Sequence, residues 1–423
     1  MWWSGVCWAA RVPAMILKPR PKARPRILKR PEIEMPYCDH NATAPLRPSC
    51  RDAMLAALSV TGNPSSVHAN GRAARAMVDE ARRSVARLVG AKAEQVIFTS
   101  GATEANGLAL WGAVEGAIDQ SETEKFARIT RLFVSAIEHS SALKTAQAVA
   151  ERIAGVRVEN LPVTAEGLLD TEALRVALRE GKGRALVAVM AANNETGVIQ
   201  PIAEIARLCR EAGALLLVDA VTAAGKVVLD AGLCDYLTLS AHKLGGPQGV
   251  GALIVAPDAP LAPQVTGGGQ QKGLRAGTEN LSGIAGFGAA ADAVLADVDE
   301  RVRVQAVRER FEAALKHAVP NAVIFGVGAP RLGNTSNIGV PGLSSENLVI
   351  ALDLDGVMVS SGSSCSSGKI APSHVLSAMG VSSDLAMGSI RVSFGWNSVP
   401  GDADAVVASL LKLRQRVRAP AAA

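Results

Sequence analysis

The chain has 423 residues, 48% of them hydrophobic and 20% charged, enough for two domains with a large core, which excludes a disordered or fibrous protein. Its formal charge of +5 is local: residues 1–34 carry eight basic and two acidic side chains, the remainder 36 and 37, so the body is near neutral. Neither that balance nor an aromatic content of 3% provides a nucleic-acid surface.

Residues 1–34 read unlike the rest. Trp2, Trp3 and Trp8 precede the Pro-interrupted basic run Lys18 to Arg26. Repeated proline forbids a continuous amphipathic helix. The apolar stretch comes before the basic one, the reverse of a secretory signal. Three readings remain open: a start at Met35, a disordered basic tail, or a targeting segment. No run reaches the roughly 18 apolar residues of a membrane span, so no membrane is expected.

From about residue 70 to 260, helical and strand patterns alternate. Arg72 to Leu88 is amphipathic, with Gly90 as C-cap. Gln95 to Thr99, Arg131 to Ile137, Ala185 to Ala191, Ala214 to Val218, Tyr236 to Leu239 and Gly251 to Val255 are apolar runs without alternation, as in a sheet covered on both faces. Ile202 to Ala212 is a helix between two of them. This is an α/β pattern with a mostly parallel sheet flanked by helices. Helices follow at about 278–297 and 301–318. A smaller α+β region has strands near 322–326, 335–340, 356–360 and 389–394 and a last helix near 402–418. The expected organisation is an extension over 1–34, a large domain over 50–290, and a small domain built from 35–49 and 291–418.

Four stretches carry chemistry, each with a plain structural alternative. Ser100 to Glu104 follows a strand, and small residues there expose backbone N–H groups at a helix N-terminus, which binds phosphate; a simple Thr103 cap explains it as well. Asp219 ends an apolar strand at the ligand edge of an open sheet. It fits a protonated pyridine nitrogen or a structural ion pair. Lys243, in Ser240-Ala241-His242-Lys243, lies between a strand and a glycine turn, where desolvation favours a neutral, Schiff-base-forming amine; a solvated loop lysine is the alternative. Cys365 lies alone in a Ser/Gly-rich stretch that cannot bury a core, which suits a mobile nucleophile; a buried structural cysteine is the alternative, and that composition argues against it. The six cysteines include no CxxC pair and there is no His cluster, so no metal site is expected, and a reducing cytoplasm is the natural setting.

Taken together these stretches resemble the cysteine desulfurases. Asp39 to Pro45, Gly62 to His68, Thr99 to Glu104, Glu138-His139, Asn193 to Gly197, Ser240 to Lys243, Arg275 to Thr278, Ser361 to Cys365 and Ser389 to Ser393 match that family's motifs in order over about 36–415. The long Ser-rich loop is similar to the NifS/IscS-type branch. The resemblance implies a fold-type I transferase dependent on pyridoxal 5'-phosphate (PLP), with a large cofactor domain, a small C-terminal domain and a homodimeric assembly. It implies that Lys243 carries the cofactor, His139 stacks on the ring and moves protons, and Asp219 pairs with the ring nitrogen. Ala102, Thr103, Ser240 and His242 would hold the phosphate, with Thr278 reaching the phosphate of the neighbouring subunit. Asn194 and Arg391 would orient ring and substrate carboxylate, with Asn41 beside them. L-Cysteine would lose its sulfur to Cys365, leaving alanine and a persulfide for an acceptor such as an iron–sulfur scaffold.

Three positions depart from the pattern. Thr222 stands where a Gln usually donates to the cofactor phenolate, Leu217 where a His is frequent, and Trp396 where an Arg is usual, a change expected to alter the pocket rim. Rival readings are another class V enzyme, such as an aminotransferase or selenocysteine lyase, and a non-catalytic PLP-binding scaffold. Gly267-Gly268-Gly269 does not make a nucleotide fingerprint, since no strand leads into a GxGxxG spacing.

Overall fold

A computed structural model describes residues 35–121, 127–361 and 372–418. Seven strands form the larger sheet: β1 (Val96–Thr99), β2 (Ile129–Ser135), β3 (Arg157–Leu161), β4 (Arg184–Met190), β5 (Leu215–Asp219), β6 (Tyr236–Ser240) and β7 (Gly251–Val255). Their order is β1-β7-β6-β5-β4-β2-β3; β7 is antiparallel to both its neighbours, and every other pairing is parallel. The helices threaded through this part of the chain are α1 (Pro48–Leu58), α2 (Ala69–Leu88), α3 (Ala102–Ser121), α4 (Ser140–Arg152), α5 (Thr171–Arg179), α6 (Ile202–Glu211) and α7 (Leu281–Ala296).

The apolar strand runs have a direct physical cause. In β4, Val187 and Val189 join a core with α2, α5, α6 and α7, while Leu186 and Ala188 join the opposite core with α3 and α4. Successive side chains point to opposite faces, so burying both faces requires every residue to be apolar. The edge strand β3 breaks that rule. Its sequence is Arg-Val-Glu-Asn-Leu, its side chains are largely exposed, and it pairs only with β2. The apolar-run criterion therefore passes over it.

A second sheet is antiparallel throughout, in the order β10-β11-β9-β8: β8 (Val323–Ile324), β9 (Thr335–Gly339), β10 (Ser360–Ser361) and β11 (Ser389–Ser393). It packs with α8 (Glu300–Ala318), α9 (Ser345–Leu354) and the terminal α12 (Pro400–Arg418) around Phe311 and Phe394, whose rings meet edge-on at 6.1 Å. Two one-turn helices, α10 (His374–Ala378) and α11 (Ser383–Met387), lie between β10 and β11 in sequence. The strand expected near 356–360 is reduced to two residues, because Met358 instead bridges to Tyr37 of the leading segment. That segment also bridges Asp39 to Ser393, and its Ala44 N–H donates to the His242 carbonyl at 2.8 Å. It thus runs from the smaller sheet to the end of β6. Residues 1–34 lie outside the described residues. Among the described residues, no single helix is long and apolar enough to cross a membrane.

Gly251 fixes how closely β1 and β7 approach the turn that follows β1. A Cβ there would sit 2.7 Å from the Gly101 carbonyl carbon and 2.7 Å from the Leu239 oxygen, both backbone atoms. Gly251→Ala is therefore expected to cost about 1–3 kcal/mol. A urea titration should show a lower midpoint with an unchanged slope.

Candidate functional site

The ends of β1, β2, β4, β5 and β6 reach one edge of the larger sheet, and each is followed by a polar segment. That is where an open α/β sheet binds its ligand. A cavity of about 630 Å3 opens there, and it brings together Asn41, Ala102, Thr103, His139, Asn194, Asp219, Thr222, Ser240, His242, Lys243 and Arg391. Two expected members are not in that set. Thr278 is exposed and borders a neighbouring cavity of about 120 Å3 with Thr99 and Ser100. Cys365 lies outside the described residues.

Asp219 closes β5 and is buried. One of its oxygens accepts from the Asn106 amide at 2.9 Å, the other from the Val221 N–H at 3.0 Å. Asn106 was not expected. It sits inside α3, its amide nitrogen also donates to Ser141 Oγ at 2.9 Å, and its oxygen accepts from Thr238 Oγ1 at 2.9 Å. The sign in the sequence was a lone Asn among Leu108, Ala109 and Leu110, since an amide on an apolar helix face needs partners.

The network continues to His139, the N-cap of α4. The Ser141 N–H donates to His139 Nδ1 at 3.1 Å, and Ser141 Oγ lies 2.8 Å from the same nitrogen. Nδ1 is thus an acceptor, which puts the proton of the neutral ring on Nε2. Burial is the main cause that lowers the His139 pKa; the nearby Lys243 and His374 lower it further, while Asp219 opposes them. Its neighbour Glu138 is wholly buried. One oxygen accepts from the Met190 N–H at 2.6 Å, and the other has no hydrogen-bond partner among the described residues. Burial, then the charge of Asp219, raise the Glu138 carboxyl well above the ordinary range.

Lys243 ends a short 3-10 turn after β6, and its ammonium donates to the carbonyls of Asn41 and Ala42, at 2.9 Å for the latter. His242 Nδ1 lies 3.2 Å from Thr43 Oγ1, and burial, then the charges of Lys243 and Lys226, lower its pKa to about 4. Arg391 comes from β11 of the smaller sheet. It pairs with Asp39 at 2.7 Å and donates to the Asn194 carbonyl at 3.2 Å, while its Nε has no partner among the described residues. Asn41 donates to that same carbonyl at 3.1 Å and to Thr335 Oγ1 at 2.8 Å.

The three departures fall in different places. Thr222 is buried on the cleft wall. Leu217 faces the apolar core on the α3 side, not the cleft. Trp396, expected on the rim, does not line the cleft. Its indole N–H is drawn to the Pro45 carbonyl at 2.9 Å and the Arg47 guanidinium lies 5.4 Å from its ring centroid.

Residues 36–406 match the family described as aminotransferase class-V. The chain belongs to the class-V aminotransferase family. Within it, the chain is 42% identical over 391 residues to a cysteine desulfurase of Cereibacter sphaeroides, covering 92% of this chain and 97% of that protein. The solved NifS-like protein of Rickettsia africae is 31% identical, with a TM-score of 0.80 over 90% of this chain and 99% of that one. A structure of SspA in complex with cysteine gives 28% and 0.73, over 86% of this chain and 99% of that one.

Class-V aminotransferases and their cysteine desulfurase members are PLP enzymes. The residues present fit that cofactor. A primary amine, a buried carboxylate held by an amide, an imidazole and the N-terminus of a 20-residue helix share one cleft. Lys243, Asp219 and the first turn of α3 match in chemistry an aldehyde, a pyridinium and a phosphate.

A further carboxyl, Glu195, sits in the turn that holds Asn194. Ser373 Oγ donates to it at 2.5 Å, and burial raises its pKa from 4.5 to about 7 against the opposing effects of Ser373 and Arg391. The folded chain therefore keeps a proton that the unfolded chain has released. Stability from this group is complete below pH 4.5 and declines as pH rises to about 7. Glu195→Gln should make that decline shallower in urea titrations at pH 5, 6 and 8. An identical slope in both proteins would contradict the assignment.

Proposed function

We propose that this chain is a PLP-dependent cysteine desulfurase that passes the sulfur of L-cysteine to Cys365 and releases L-alanine. The observation that carries the reading is the presence of Lys243, Asp219 and His139 in one cleft that Arg391 also lines. The bound cofactor supplies an electron sink for the carbanion formed when the substrate loses its α-proton.

The protein's own residues do the rest. Lys243 would hold the cofactor through its side-chain amine, and that amine would take the α-proton of the substrate. Asp219, kept in place by Asn106 and the Val221 N–H, holds the positive charge of the ring nitrogen. His139, neutral and protonated at Nε2, would lie against the bound cofactor and move protons there. Ala102, Thr103, Ser240 and His242 bind the phosphate, and Thr278 serves the phosphate of a second subunit in a homodimer. Thr222 offers a shorter donor than the usual Gln to the cofactor oxygen. Arg391, Asn194 and Asn41 orient the substrate carboxylate. The Cys365 thiolate would attack the substrate sulfur, since the thiol is a poor nucleophile; the S–S bond of the persulfide forms as the substrate Cβ–S bond breaks, and the electron pair left on that carbon takes up a proton on the way to alanine. The resulting persulfide is handed to a cytoplasmic acceptor protein, such as an iron–sulfur scaffold.

The visible spectrum of the protein should change on adding L-cysteine, with sulfide and alanine formed together. Borohydride reduction followed by peptide mapping should place the pyridoxyl label on Lys243. Cys365→Ala should keep the absorbance yet release no sulfide, at least 100-fold less than the parent by the usual worth of a nucleophile, on the order of 10^2 or more. Desulfuration at the parent rate in that variant would rule out the thiol transfer step.

A further inference from the structure

Glu104 lines the cleft beside the turn assigned to the phosphate, and the reaction proposed for the cleft does not use it. It sits in the first turn of α3. Its Oε2 accepts from the Ser100 N–H at 2.9 Å and from the Ser100 hydroxyl. Arg275 grips both oxygens, Nε donating to Oε1 at 2.8 Å and Nη2 to Oε2 at 3.2 Å. Burial by itself would raise the Glu104 carboxyl, but the hydrogen bonds from Arg275 and Ser100 outweigh it and hold the group below its ordinary value. It is therefore a carboxylate at neutral pH.

A carboxylate is an unexpected neighbour for a phosphate, since like charges repel. Two features of the structure account for it. The first is the turn itself. Thr99 supports it from the strand side, its hydroxyl donating to the Gly101 carbonyl at 2.9 Å, and Glu104 supports it from the helix side through Ser100. A Cβ on Gly101 would meet nothing within 4 Å, so packing does not fix the side on which it would stand. The second is the base from which Arg275 reaches. Gln271, four residues earlier, is buried and accepts the Phe98 N–H at 2.9 Å. It takes a φ of 44°, in the left-handed region that a residue other than glycine occupies only where its surroundings fix it. Glu279 shares a small cavity with Arg275 but accepts from the Gln271 amide, which leaves the guanidinium to Glu104.

We propose that Glu104 is a positioning residue for the cofactor's phosphate: it ties Ser100 back onto α3 so that the N–H groups of the turn stay presented to the cleft, and Arg275 cancels the charge that would otherwise repel the phosphate. The inference rests on the reading of that turn as the phosphate site. A purely electrostatic role has the opposite sign. Removing a negative charge beside an anion site strengthens anion binding, whereas removing the hold on the turn weakens it.

The test compares two probes on the full-length protein freed of cofactor: PLP, and pyridoxal, which has the same ring and aldehyde but no phosphate. The ratio of their dissociation constants, pyridoxal over PLP, measured by absorbance titration, isolates the phosphate. Glu104→Ala should lower that ratio about tenfold, the worth of a hydrogen bond to a charged group, although it makes the site more positive. Arg275→Met should lower it by at least as much, because the carboxylate then faces the phosphate without its counter-charge. Glu104→Gln, the mildest change to folding, keeps an acceptor for Ser100 and should lower it about threefold. An unchanged or larger ratio in Glu104→Ala overturns the proposal, as does weaker binding of both probes in equal measure. Should the Ala protein bind neither probe, the Gln protein decides, and the parent ratio there overturns the proposal. A parent that binds neither probe, or both equally, would instead overturn the reading of the cleft as the cofactor and phosphate site.

Discussion

The site depends on keeping one carboxylate buried. Asp219 stands at the end of a strand whose other residues are apolar and enclosed. A carboxylate there with no partner would bear the full cost of losing its hydrogen bonds to water. Asn106 prevents this by donating to it, and the same amide group organises Ser141 and Thr238. Through Ser141 the arrangement extends to His139 and selects its tautomer. The carboxylate, the imidazole and the helix that presents the phosphate turn are thus tied to a single side chain on α3. Glu138 supplies a contrasting solution three residues before Ser141. Burial, then the charge of Asp219, hold it toward its neutral form, and one of its oxygens has no partner among the described residues.

A second constraint joins the two sheets. The leading segment from Tyr37 to Ala44 is neither helix nor full strand. It bridges to β11, donates from Asn41 to Asn194 and Thr335, and accepts the Lys243 ammonium on two carbonyls. Its Asp39 pairs with Arg391. Residues distant in sequence by about 350 positions meet there, so the cleft can exist only once the smaller sheet has docked on this segment.

Much of this was legible in the sequence because burial leaves a pattern. Six of the seven larger-sheet strands were readable as apolar runs; β3 was not, because an edge strand exposed to water has no need of them. The cleft residues were legible because their motifs close strands, and strand ends are where an open sheet binds ligands. Asn106, Glu195 and Ser373 were missed. Each is a polar residue whose importance lies in its partner, 113 residues away for Asn106 and 178 for the Glu195–Ser373 pair. No local periodicity encodes such distances. Trp396 was misjudged for a related reason: its indole follows the hydrogen bond and cation it can reach, Pro45 and Arg47, not the position in its motif.

The pairing of Arg391 with Asp39 has a consequence for selectivity. The guanidinium is 3% exposed and already carries a counter-charge, with its Nε unpartnered among the described residues. A carboxylate arriving in the role proposed for it meets a nearly neutral dipole, not a bare cation. Recognition then depends on the shape and angle of the incoming group more than on its net charge. Long-range attraction is weak in such a pocket, and affinity should vary little with ionic strength because mobile ions cannot screen a pair they cannot approach.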